Sequence, residues 1–102
     1  MDGFVAGSPA YIAPETWAER PVTPLVDVYA LGAMMYRTLA SRTPFPIDNL
    51  VELFRLVTRG ERPSLHAYRP DLPVEVDRWT QQALAADPKI RFQTPRAVYR
   101  SL

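Results

Sequence analysis

Cysteine is absent from this sequence, and with it go disulfide frameworks, thiolate metal sites and cysteine nucleophiles. A single histidine, His66, leaves nothing from which to build a histidine metal cluster. Neither sign of charge dominates: twelve basic and eleven acidic side chains give a net charge of +1. That is too little for a summed field drawing the chain to nucleic acid or to an anionic membrane. No window approaches the ~20 apolar residues of a bilayer-spanning helix, and no basic stretch followed by an apolar run opens the chain. The expectation is a cytoplasmic protein with no nucleic-acid partner and no membrane segment. Strand alternation, internal repeats and low-complexity tracts are also missing, so the expected fold class is all-α, in one domain over residues 1–102.

What the chain does have is 47% hydrophobic residues and eleven prolines in 102 positions. This suits a small helical domain punctuated by short ordered loops. From Leu25 to Leu39 almost every residue is apolar, with Asp27 and Arg37 the only charges, and a helix hydrophobic all round is expected to be buried all round. Gly32 costs that helix about 1 kcal/mol relative to alanine, which predicts close approach by a neighbouring backbone. A second helix is predicted over about 49–58, with Asn49 as cap, Glu52 three residues on, and Leu50, Leu53, Phe54 and Val57 as its apolar stripe. Gly60 suits its C-terminal stop. A third runs over about 73–86, from Pro73 to the break at Asp87-Pro88, and a fourth over 95–102. Ahead of these lies an irregular N-terminal loop with a short helix near Pro14 to Trp17.

Several segments stand in a telling order. Gly7-Ser8-Pro9-Ala10-Tyr11-Ile12-Ala13-Pro14-Glu15 is followed by Asp27-Val28-Tyr29-Ala30-Leu31-Gly32 and Arg42-Thr43-Pro44-Phe45. Then come Leu72-Pro73, Ala83-Leu84-Ala85-Ala86-Asp87-Pro88 and Arg91-Phe92-Gln93-Thr94. The first resembles the segment that closes the activation loop of protein kinases, the second the start of their central buried helix, and the rest the loops and closing helices of the C-terminal lobe. Bacterial Hanks-type serine/threonine kinases are the nearest in style. The resemblance covers essentially the whole chain. It implies an all-α C-terminal kinase subdomain without the N-lobe and catalytic loop, with residues 7–15 as the end of the activation segment and a central helix at about 25–39.

The resemblance also assigns roles. Ser8, Pro9 and Tyr11 fall in the loop that accepts a peptide substrate, although Ser8 beside Pro9 also reads as an ordinary turn residue. Glu15 and Arg91 match a glutamate and an arginine that form a buried ion pair in the family, whereas by residue type alone two charges so far apart read as independent surface groups. Asp27 opens an apolar helix, where its carboxylate can cap free backbone N–H groups; in the family it also reaches the catalytic loop. Asp48, Glu52, Glu75, Asp77 and Asp87 show no pairing for acid–base chemistry. Trp17, Trp79, Tyr29 and Tyr36 read as core, Met34 and Met35 as gap-fillers, and His66 as a solvated loop residue.

Phosphoryl transfer needs a glycine-rich loop, a strand lysine paired with a helix glutamate, an aspartate base and metal-binding carboxylates. None is recognisable: the only lysine is Lys89, no His-Arg-Asp or Asp-Phe-Gly occurs, and Met1-Asp2-Gly3-Phe4 is no substitute. No catalytic, cofactor-binding or metal-binding residue is therefore expected here, and ATP and magnesium are expected only for a full-length parent kinase. The expected function is a truncated serine/threonine protein kinase domain that does not catalyse alone. The alternative is a pseudokinase-like module binding a protein partner or its own copy. Without the missing lobe, one flank of the central helix should lie uncovered. Burying about 400 Å² there would contribute on the order of 10 kcal/mol to a partner or to self-association.

Overall fold

A computed structural model describes residues 8–102, and every regular element among them is helical. Gly7, the first residue of the opening motif, lies outside the described residues. A 3-10 turn at Pro9–Tyr11 leads into α1 (Pro14–Trp17), α2 (Leu25–Ala40), α3 (Leu50–Arg59), α4 (Leu65–Tyr68), α5 (Val76–Ala83) and α6 (Pro95–Arg100). The fold class is all-α.

The apolar α2 is the post around which the rest is arranged: the 3-10 turn, α4, α5 and α6 all pack against it. Its inner side buries Val28, Tyr29, Gly32, Ala33, Tyr36 and Ala40. Gly32 marks the crossing with α5, since a Cβ there would stand 3.0 Å from Ala83 Cβ and 3.2 Å from the Ala83 carbonyl oxygen. The helix is not buried all round, however. Asp27, Arg37 and Thr38 are exposed, while Ala30 and Met34 are half-buried. These positions recur every three to four residues and so share one flank. No large exposed apolar side chain lies on α2, so the open flank is more polar than composition suggested.

Helix α3 starts as its cap residue dictates, with the Asn49 side chain accepting the Glu52 N–H at 3.1 Å. Leu53 and Val57 point to the core, and Phe54 meets Trp17 of α1 edge-on, with ring centroids 6.1 Å apart. Gly60 does follow the last turn, but in extended backbone. Glycine is needed because a Cβ would lie 2.8 Å from the Leu56 carbonyl oxygen. Helix α5 is shorter than 73–86, because residues from Pro73 to Glu75 form a turn, with Val76 N–H on the Pro73 carbonyl. Likewise α6 stops at Arg100, not at 102. Its tie to α5 is the Trp79 indole N–H, which donates to the Val98 carbonyl at 3.0 Å.

The sequence reading has no counterpart for α4. Ser64 caps it by accepting the Ala67 N–H at 3.1 Å, and Asp77 of α5 accepts from the Ser64 hydroxyl at 2.7 Å and the His66 N–H at 2.9 Å. His66 is thus half-buried in a helical turn, not a solvated loop residue, and its Nδ1 meets the Leu72 carbonyl at 2.9 Å. A carbonyl only accepts, so Nδ1 is the protonated nitrogen.

Candidate functional site

The opening motif folds into two short turns, the 3-10 turn laid against α2 and α1 against α3. Proline at the first position of each presets the backbone. Ser8 is half-exposed and its side chain makes no capping bond, though its carbonyl accepts the Tyr11 N–H at 3.4 Å; Ala10 is buried, and Tyr11 is half-buried beside the core. The segment Ser8–Tyr11 is therefore a ledge against α2 on which Ser8, Pro9 and Tyr11 are all partly accessible. After α1 the chain turns sharply: Glu19 N–H bonds the Thr16 carbonyl and Arg20 N–H the Glu15 carbonyl. This is the reciprocal C-terminal pattern normally completed by glycine. Here Glu19 takes the left-handed position, at φ 57°.

Glu15 and Arg91 meet. Arg91 Nη1 lies 2.8 Å from Glu15 Oε2 and Nη2 lies 2.9 Å from Oε1, with the two side chains 0% and 4% exposed. The remaining donors of the guanidinium are also used: Nη1 reaches the Leu25 carbonyl at 2.9 Å, and Nε and Nη2 reach the Ala85 carbonyl at 3.1 and 2.9 Å. All five N–H groups that an arginine offers are satisfied, and the charge lies 5.3 Å over the Tyr29 ring. One side chain thereby fastens α1, the first turn of α2 and the segment after α5. Burial by itself raises the Glu15 carboxyl, but the hydrogen bonds and charge of Arg91 outweigh it, holding the group below the usual carboxylate range.

Asp27 does not cap α2. The helix begins at Leu25, so Asp27 falls inside the first turn instead of in front of it, and the Leu25 N–H is taken by Thr23 Oγ1 at 3.2 Å. Its exposed carboxylate accepts no hydrogen bond among the described residues; it faces solvent on the open flank of α2. Favourable interaction with the helix N-terminus is all that remains of the capping role.

A second, half-buried arginine has no counterpart in the sequence analysis. Arg62 Nε donates to the Leu84 carbonyl at 2.6 Å, Nη1 to Gly60 and Leu56 at 3.0 and 3.2 Å, and Nη2 to Val57 at 2.8 Å. It ties the last turn of α3 to the end of α5 and stacks 5.3 Å from the Phe45 ring. Burial lowers its pKa, and no carboxylate offsets that. Its partners are backbone carbonyls, which carry no residue-specific signal; the only hint was an arginine next to Pro63.

The chemistry available is correspondingly limited. Ser64, His66 and Asp77 come together, but the His66 ring turns to Leu72 instead of to Ser64, so no proton relay to a nucleophile exists. Among the described residues no three His, Asp or Glu side chains converge as a metal site, and no helix is long and apolar enough to cross a membrane. The Tyr29 and Tyr36 hydroxyls are buried without a hydrogen-bond partner among the described residues, and burial pushes both phenols up to about 12. They stay neutral and act as core.

Comparison with known proteins agrees with this architecture. Residues 3–100 match the family model described as the protein kinase domain. The chain is 33% identical over 95 residues to tyrosine-protein kinase MasK of Myxococcus xanthus, covering 93% of this chain and 15% of that protein. It is 32% identical over 90 residues to serine/threonine-protein kinase PrkC of Bacillus subtilis, covering 88% of this chain and 14% of that one. The fold also superposes on the twitchin kinase region from C. elegans with a TM-score of 0.76 at 23% identity, over 89% of this chain and 16% of the other. The chain thus spans about a seventh of the length of the two bacterial relatives. With its family model matched almost end to end and its helices arranged as in a solved kinase, the chain belongs to the protein kinase family.

Proposed function

We propose that this chain is the C-terminal-lobe part of a serine/threonine protein kinase domain of the bacterial Hanks type. In this reading it supplies the peptide-docking ledge Ser8–Tyr11 and the frame beneath it, while ATP and magnesium are handled by segments of a longer parent protein. The observation that carries the proposal is the buried Glu15–Arg91 pair, which locks the docking segment to the closing helices. Asp27 supports it too, as a solvent-facing carboxylate placed to receive a neighbouring segment. The chain by itself does not transfer phosphate, because it offers none of the groups that position a nucleotide. We place the protein in the cytoplasm.

A second reading rests on the open flank of α2, where Asp27, Ala30, Met34 and Thr38 face outward. There the chain would act as a pseudokinase-like module, binding a protein partner or its own copy. A chimera separates the two. Residues 8–102 replace the matching segment of the Bacillus subtilis PrkC kinase domain, and phosphate transfer to a peptide is measured with magnesium-ATP. Retained transfer supports the kinase-lobe reading, with Ser8→Trp lowering transfer by raising the peptide KM. A folded, ATP-binding chimera without transfer overturns it. Saturable magnesium-dependent ATP binding by the chain alone would overturn the proposal that nucleotide handling lies elsewhere.

A further inference from the structure

The net charge of +1 conceals an uneven distribution. Two open grooves lie side by side and share Thr58 and Ala86 in their walls. The first, of ≈ 670 Å³, runs between the end of α1 and the loop after α5, and carries Arg20 and Lys89. The second, of ≈ 830 Å³, runs between the end of α3 and α5, and carries Arg59, Arg62 and Arg78 with Gln81 and Gln82. Five cations therefore line a band in which two carboxylates, Glu61 and Asp87, have no cation partner among the described residues, an excess of three positive charges. The third carboxylate present, Glu15, is already spent on Arg91.

Four of these cations are available. Arg20, Arg59, Arg78 and Lys89 are exposed, and their side chains make no hydrogen bond or ion pair among the described residues. Arg62 is committed to carbonyls, yet its charge has no carboxylate partner among the described residues and lines the second groove. The walls between the charges are apolar: Pro14, Ala18, Pro21, Leu25 and Pro88 in the first groove and Ile90 in the second, the last 61% exposed. None of Ser8, Pro9 or Tyr11 contributes to either groove, so the band is separate from the ledge assigned to a peptide substrate.

We infer that this band is a docking surface for an extended acidic segment of a protein partner, one in which carboxylates alternate with apolar side chains. Charge complementarity supplies approach and register, and the proline and alanine walls take the apolar residues between. Alternating chemistry favours such a peptide over nucleic acid, whose uniform backbone charge needs no apolar walls and gains from stacking aromatics. No aromatic residue lines either groove.

The test uses the whole chain and a fluorescein-labelled peptide in which glutamate alternates with leucine, with a glutamine-for-glutamate copy as control. Binding is read by anisotropy at low and at physiological ionic strength. Saturable, salt-sensitive binding of the glutamate peptide is expected, about tenfold weaker in the Arg59→Glu/Arg78→Glu variant and in the Arg20→Glu/Lys89→Glu variant. The Arg96→Glu/Arg100→Glu variant makes the same charge change on exposed α6 and should bind as the parent does, with circular dichroism confirming that all three fold. No binding, equal binding of both peptides, or equal weakening by the α6 variant would overturn the inference. So would tighter binding of a single-stranded oligonucleotide or of anionic phospholipid vesicles.

Discussion

Replacing Arg91 with alanine perturbs the chain at its most connected point. The substitution leaves the Glu15 carboxylate, 4% exposed, without either of its guanidinium bonds, and strips donors from the Leu25 and Ala85 carbonyls. Breaking one partner of a buried pair costs about 3–5 kcal/mol, against a total stability of about 5–15 kcal/mol for a domain of this size. At about 4–8 °C per kcal/mol, the melting midpoint should fall by at least ~12 °C. Urea unfolding followed by Trp17 and Trp79 fluorescence reads the loss directly. The Glu15→Gln change should cost less, because a neutral amide still accepts one bond. The joint replacement Glu15→Leu/Arg91→Met should cost less than Glu15→Leu and Arg91→Met summed, since neither charge is then stranded. An Arg91→Ala stability within about 0.5 kcal/mol of the parent, inside the band usual for surface substitutions, would refute the reasoning. So would strict additivity in the double variant.

Three other outcomes follow from the same geometry. The lowered Glu15 and Asp77 carboxyls contribute stability that is fully present above the unfolded-chain carboxylate value of ~4. It is lost as pH falls through their lower folded-state values, so a urea midpoint measured from neutral pH downward should stay flat and then drop in acid. A midpoint independent of pH in that range would contradict it. Glu19→Gly should raise the melting temperature, because glycine removes a left-handed cost of about 1 kcal/mol at φ 57°; a fall would show that the Glu19 side chain matters more than its backbone. Gly32→Ala gains about 1 kcal/mol of helix propensity but drives a methyl to 3.0 Å from Ala83 Cβ. Overpacking of about 1–3 kcal/mol should then win, and a more stable variant in thermal melts would mean that α2 and α5 do not cross so closely.

How much of this was legible depended on whether the signal was local. The helical class, the Asn49 cap and the tight spot at Gly32 are properties of neighbouring residues and helical spacing, and they can be read from the string. Asp27 shows the limit of local reading. A shift of the helix start to Leu25 moves its carboxylate from a cap into the first turn, and Thr23 takes the N–H instead. Helix α4 went unseen because four residues carry no periodicity, and its order comes from Asp77 on another helix. Glu15 and Arg91 stand 76 positions apart, so only likeness to a family joined them in advance.

By itself the sequence determined the longer helices, the breaks between them, and an apolar segment that had to become the central post, because propensity and amphipathic pattern act over a few residues. Tertiary structure alone decided which charges are spent and which are free. Arg91 and Arg62 are consumed inside by carboxylate and carbonyls, while Arg20, Arg59, Arg78 and Lys89 gather on one face. Composition sums charge over the whole chain, whereas a partner meets only the charge that folding brings to one surface.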